Sequence, residues 1–169
     1  MKFTSVKNSL TEMFRKPRPQ FDWKFGGRSL EKLKGVDDNL VRVAHLALRY
    51  SPVDFGITCG LRTLEEQQAL LDAGKSQTLK SRHLDGKAID IVCYVDGKVT
   101  WDFKHYMVAA QAIALAAREL DVEIRWGAAW TSLLNHKDAS AAHNDYVTLR
   151  KMQGRKPFVD GPHFEIPKE

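Results

Sequence analysis

Two short stretches hold residues whose types and spacing suit chemistry: His83-Leu84-Asp85-Gly86-Lys87-Ala88-Ile89-Asp90 and Asp160-Gly161-Pro162-His163-Phe164-Glu165-Ile166. In the first, Gly86 permits a tight turn after His83, and the strand-like run that follows puts Ala88, Asp90 and Val92 on one face. A carboxylate between Ile89 and Ile91 is costly to bury alone. A divalent cation is one partner strong enough to hold it, and a salt bridge to Arg or Lys is the other. In the second stretch a turn again enters a strand, with Asp160 three residues ahead of His163. Ligands of His, Asp, His type leave a fourth tetrahedral position for water, which catalytic zinc needs and structural zinc avoids. Asp160 is then placed to act on that water.

Such residues need rigid supports, and the surrounding pattern supplies them. Asp37 and Asp38 suit the start of a helix in which Leu40, Val43, Ala44, Leu46, Ala47 and Tyr50 recur at helical spacing until Pro52 stops it. Phe55–Cys59 reads as a short strand leading through Gly60 to Arg62. Thr63 and Glu66 form a capping box for a second helix, through Gln67, Leu70 and Leu71 to Gly74. A polar loop then leads into the strand of residues 87–95, and Asp96-Gly97 turns the chain back as a hairpin. An alanine-rich helix over 106–120 follows, then VEIRWG and a last strand around PHFEI. The polar segment 131–154 is long for a loop and reads as a flap over the cleft or a short helix. These elements predict an α+β domain with a small, largely antiparallel sheet, without the βαβ alternation of a doubly wound fold.

Composition narrows the function. With 43% apolar residues in 169, the chain can build one core without disulfides, and no apolar run reaches the roughly 20 residues of a spanning helix. Cys59 and Cys93 lie in apolar, strand-like segments and are expected to be reduced, buried and inert. With no CxxC pair, a thiolate zinc site is not expected. A net charge of +5 favours polyanionic surroundings, but the Lys and Arg residues form no nucleic-acid motif. Residues 1–24 read as a basic arm broken by Pro17 and Pro19, ahead of a domain over 25–169. No signal-peptide core follows Lys2 and Lys7, so synthesis in a cytoplasm is expected. His45 is expected in the core, His105, His136 and His143 in solvent, and Trp126 and Trp130 as wall or core of the cleft.

The string Ser81-Arg82-His83-x-x-Gly86-x-Ala88-x-Asp90 resembles the SxHxxGxAxD motif of zinc peptidases that include D-Ala-D-Ala carboxypeptidases, D-Ala-D-Ala dipeptidases and phage L-alanyl-D-glutamate endopeptidases. KFGGRSLEKLKGV from Lys24, SPVDFGITCGLRT from Ser51 and RWGAAW from Arg125 resemble the phage branch, and the likeness covers about residues 24–169. The resemblance implies a D-Ala-D-Ala peptidase/hedgehog-like fold, with Zn2+ on His83, Asp90 and His163. Asp160 would be the general base, where many relatives have Glu, and Glu165 is its rival. The resemblance also implies that Arg62 shares the charge of the tetrahedral intermediate and that Ser81 and Gln68 contact substrate. The function implied is that of a monomeric endolysin that reaches peptidoglycan after membrane breach. A D-Ala-D-Ala carboxypeptidase or dipeptidase, or a non-catalytic zinc-containing wall-binding module, is the alternative.

Overall fold

The computed structural model describes residues 20–168. The expected basic arm therefore lies outside the described residues over 1–19. Its last part, from Gln20, forms neither helix nor strand: the Gln20 and Phe21 N–H groups donate to the Arg49 carbonyl, and Trp23 Nε1 donates to the Ser51 carbonyl at 3.1 Å.

In chain order the elements are α1 (Gly27–Lys32), α2 (Asp38–Tyr50), β1 (Asp54–Cys59), α3 (Leu64–Asp72), a 3-10 turn (Arg82–Asp85), β2 (Ala88–Val95), β3 (Lys98–Thr100), α4 (Phe103–Leu120), β4 (Arg125–Trp126), β5 (Thr131–Ser132), a second 3-10 turn (Leu133–Asn135), α5 (Ala139–Met152) and β6 (His163–Glu165). The six strands form one sheet in the order β1-β2-β6-β4-β5. β3 pairs with the far end of β2, and every pairing is antiparallel. The α+β expectation holds.

Local chemistry sets the helix starts. The Asp37 carboxylate accepts from the Asn39 N–H at the head of α2, and Thr63 and Glu66 complete the expected capping box at the head of α3. α2 lays Leu40, Val43, Ala44, Ala47 and Leu48 against α4, where Ala109, Ala110, Ala112, Ala114, Ala116 and Ala117 are small enough to let the helix axes close up. Beneath them Ile89, Ile91 and Cys93 of β2 and Phe164 of β6 form the core face of the sheet, each essentially inaccessible. Full burial of an isoleucine there is worth roughly 1.5–3 kcal/mol, so the central strands are held from the core side while their other face is left for function.

Several expectations are corrected. Of the two readings of residues 131–154, flap or short helix, the helix is the one found: they contain the 14-residue helix α5, which fully buries only Ala139 and Ala142 and so shows little apolar period in sequence. α4 begins at Phe103, earlier than the pattern predicts. α1, six residues long, is too short to show a period in the sequence. His45 is exposed rather than in the core, its ring edge-on to Phe25 at 5.0 Å, because it lies beside rather than within the buried stripe of α2. His143 is not solvated. It is half-buried against Phe103 and Trp126, with Nδ1 donating to the Ala128 carbonyl at 2.7 Å.

Candidate metal centre and cleft

The sheet register assembles the site. Asp90 of β2 lies directly opposite His163 of β6, and on its other side opposite Cys59 of β1. Cys59 reaches that position through a β-bulge: Ile57 pairs with Ile91 and Cys59 with Asp90, so one extra residue, Thr58, turns the strand end toward the cleft. One row further along, Glu165 of β6 lies between Ala88 of β2 and Arg125 of β4. Side chains alternate along strands, so His163 and Glu165 face the cleft together while Phe164 enters the core.

His83 comes from the 3-10 turn. Ser81 caps that turn by accepting from the His83 N–H, and Gly86 ends it at φ 64°. A Cβ at Gly86 would stand 2.2 Å from the Gly35 carbonyl oxygen, so both the backbone conformation and the close approach require glycine. The Arg62 N–H donates to the His83 carbonyl at 3.0 Å, joining this turn to the one after β1.

Asp90 Oδ1 lies 3.2 Å from His83 Nε2 and 3.0 Å from His163 Nδ1. Donors about 2.0–2.1 Å from a tetrahedral ion are about 3.3 Å apart, so each of these two contacts, taken by itself, has the spacing of a ligand pair. The far side of each ring is already used. His83 Nδ1 is 2.7 Å from the Gly60 carbonyl, which can only accept, so this nitrogen carries a proton and Nε2 is the one free to ligate. His163 Nε2 is 2.7 Å from Glu165 Oε2, which turns Nδ1 toward Asp90. Among the described residues, the one group of three whose donor atoms all lie within 4.8 Å of one another is Cys59, His83 and Asp90; it is able to hold a metal ion, and His163 is not part of it. The expectation of an inert Cys59 is thus corrected. Its Sγ lies 3.8 Å from His83 Nδ1 and accepts from Arg62 at 3.1 Å, although it sits on the Nδ1 side of the ring, away from the nitrogen that faces Asp90.

The electrostatics show how closely these groups are coupled. Burial works to lower the His83 and His163 pKa values, but Asp90, with Cys59 beside one ring and Glu165 beside the other, reverses this and pushes them up to about 10 and about 9. Burial opposes ionisation of Asp90, yet the two imidazoles hold it far below the usual carboxylate range. Asp160 differs: burial raises its pKa, and the charge of His163 only partly offsets this. Among the described residues its carboxylate accepts no hydrogen bond.

His83, Asp90, His163, Asp160, Arg62 and Ser81 all line one cleft of about 560 Å³, which falls within the usual range of ligand sites. Gln68 does not. It is exposed on α3 with its amide on Asp72, and its neighbour Gln67 points inward instead. Gln67 is fully buried, accepts from Arg62 Nη1 at 2.6 Å and donates to Ser76 Oγ and the Thr78 carbonyl. The capping box at Thr63 fixes the helix phase and could have distinguished the two. Trp130 is cleft wall and Trp126 is core.

The chain matches the phage L-alanyl-D-glutamate peptidase family over residues 21–166. It is 32% identical over 148 residues to the L-alanyl-D-glutamate peptidase of Escherichia phage T5, covering 85% of this chain and 98% of that protein. It is 29% identical over 124 residues to the peptidase of the same name from Listeria phage A118, covering 72% of this chain and 43% of that longer protein. Among solved structures it is similar to the Serratia marcescens L-Ala D-Glu endopeptidase ChiX, with a TM-score of 0.67 and 37% identity over 86% of this chain and 92% of the other. Matched over nearly its whole described length, this chain belongs to the phage L-alanyl-D-glutamate peptidase family.

Proposed function

We propose that the protein is a zinc-dependent endolysin that hydrolyses the L-alanyl-D-glutamate bond of peptidoglycan stem peptides, acting as a monomer on the wall once the membrane has been breached. The observation that carries this reading is the placement of Asp90 between His83 Nε2 and His163 Nδ1 on the floor of a cleft that Asp160 also lines, in a chain of this family. Among the described residues no helix is long and apolar enough to cross a membrane.

Zinc held there by His83, Asp90 and His163 would supply a Lewis acid that lowers the pKa of a water toward 7 and polarises a carbonyl. Asp160, with its proton affinity raised by burial, takes a proton from the attacking water and returns it to the leaving amine of the D-glutamyl residue. Arg62 is held by Gln67 and lies 3.6 Å from Asp90 Oδ2; from this place on the cleft wall it would share the charge that develops on the carbonyl oxygen. Glu165 has both carboxylate oxygens engaged and is not the base. Lys75, Lys80 and Lys168 line the same cleft, a cationic rim suited to a stem peptide bearing carboxylates.

The test is to incubate purified protein with peptidoglycan, with and without a chelator followed by zinc, and to identify new termini by mass spectrometry. New D-glutamyl amino termini restored by zinc are expected. Release of D-alanine would move the activity to the carboxypeptidase class, and no product would favour a binding module. Asp160→Ala is expected to keep zinc and to lose about 10²–10⁴ in rate, and unchanged lysis would remove Asp160 from the mechanism.

A further inference from the structure

We infer that Glu165, clamped by Arg125, is the positioning residue for His163 and sets how tightly the site holds its metal. The inference rests on the reading of His163 as a metal ligand. It goes beyond that reading by assigning work to two residues that touch neither the metal nor the scissile bond.

The geometry argues for it step by step. His163 and Glu165 are two apart on β6 and so share the cleft face, while Arg125 of β4 is the direct cross-strand partner of Glu165. Glu165 is 4% exposed. A carboxylate so withdrawn from water needs every lone pair answered, and it has two partners. Oε2 takes the His163 Nε2–H at 2.7 Å, and Oε1 takes Arg125 Nε at 2.8 Å together with Arg125 Nη2. The guanidinium thus holds the carboxylate side-on, and the carboxylate fixes the ring. With Nε2 committed as the donor, the His163 lone pair for a metal is on Nδ1, on the Asp90 side at 3.0 Å.

The contrast with His83 shows that the two imidazoles are tuned differently. His83 donates to a neutral acceptor, the Gly60 carbonyl, whereas His163 donates to a carboxylate. An anionic acceptor makes the ring a more basic ligand and resists its rotation. Arg125 also lies over Trp130, 5.6 Å from the ring centre, so the same guanidinium joins the ligand's support to the cleft wall.

The experiment is competition for zinc between the full chain and a chromophoric chelator, on wild type, Glu165→Ala, Glu165→Gln, Arg125→Gln and His163→Ala. The ring-nitrogen NMR signals of His163 are followed in the zinc-loaded proteins. His163→Ala tests the underlying reading: if it leaves zinc affinity unchanged, His163 is not a ligand and both ideas fall. With His163→Ala weakened, Glu165→Ala is expected to bind zinc about 10–100-fold more weakly and to lose the hydrogen-bonded Nε2–H resonance. Glu165→Gln, whose amide oxygen can still accept, should recover part of that loss. Glu165→Ala within twofold of wild type, with His163→Ala weakened, would overturn the positioning role alone. Should Glu165→Ala fail to fold, Arg125→Gln carries the test. It leaves the His163–Glu165 contact but removes the clamp, so weaker zinc binding with a broadened His163 signal is expected, and wild-type affinity with a sharp signal would overturn the clamp.

Discussion

Gly127 and His163 are tied main chain to main chain: the Gly127 N–H donates to the His163 carbonyl at 2.8 Å, and the Gly127 carbonyl in turn accepts the Asp160 N–H at 3.0 Å. One glycine after β4 therefore grips both ends of the turn that carries the proposed base and the last proposed ligand. A Cβ at this position would stand 2.6 Å from the Asp160 carbonyl oxygen and 3.0 Å from His163 Cβ, and none of those atoms is the movable end of a side chain. Gly127→Ala must displace the turn. Overpacking of this kind costs about 1–3 kcal/mol, while a displacement on the order of 1 Å at a catalytic group costs about 10²-fold in rate. The expected result is a folded protein with a lowered melting temperature and kcat/KM reduced by about two orders of magnitude. Full activity in that variant would show that the Gly127 contact does not position Asp160.

The two adjacent glutamines of α3 give a paired test. Gln67→Leu removes the acceptor of a nearly buried guanidinium and the donor to Ser76 and Thr78, so it is expected to cost about 1–3 kcal/mol of stability and to lower kcat through a disoriented Arg62. Gln68→Leu removes only an exposed contact with Asp72 and is expected to change stability by less than about 0.5 kcal/mol, with wild-type kcat. Chemical denaturation and steady-state rates on a soluble stem peptide separate the two. Equal rate losses from both would put Gln68 back in contact with substrate.

Residues 83–90 and 160–166 reveal their strands because a period of two and a glycine turn are local properties, whereas the row formed by Asp90 and His163 depends in addition on the register in which the two antiparallel strands pair. What sequence could not show depends on register and phase. The bulge that places Cys59 opposite Asp90, the alignment of Arg125 with Glu165, and the inward turn of Gln67 instead of Gln68 each hinge on a one-residue offset, which decides the face a side chain takes. The position of α5 within 131–154 could not be read for a different reason: a helix that seals two alanines onto the core has almost no apolar stripe to detect.

Metal binding is expected to release protons. Without metal, His83 and His163 hold theirs up to about pH 10 and pH 9, because Asp90, Cys59 and Glu165 face them and outweigh burial, while Arg62 is the cation on the other side of Asp90. A metal needs the lone pairs on Nε2 and Nδ1, so near pH 7 each ion displaces about two protons and apparent affinity falls as pH drops. Calorimetric titration of the chelated protein with zinc, in buffers of different ionisation enthalpy, reads this number directly. Release of no protons at pH 7 would mean that the imidazoles are neutral before the metal arrives.

The ion pair between Asp37 and Lys87, Oδ2 to Nζ at 2.7 Å, makes a separate prediction at residues that do not line the cleft. Asp37 caps α2, its N–H donates to the Gly86 carbonyl, and Lys87 follows Gly86 directly, so the pair fastens the His83 turn to α2. The Lys87 hydrogen bond is the main cause of a lowered Asp37 pKa, and the Asn39 N–H adds to it against the opposing effect of burial. The folded-state pKa lies below the unfolded value of about 3.9, so the stabilisation is complete above that pH and is lost as pH falls through the folded value. Asp37→Asn keeps a side-chain oxygen for the helix cap and removes only the charge. Wild type is therefore expected to exceed Asp37→Asn in stability by roughly 0.2–1 kcal/mol at pH 7, as for other partly exposed pairs, and the difference should be smaller at pH 3, below the unfolded value. Urea denaturation at both pH values measures the gap. A gap of the same size at pH 3 and pH 7 would mean that the carboxylate acts through its shape as a cap and not through its charge on Lys87.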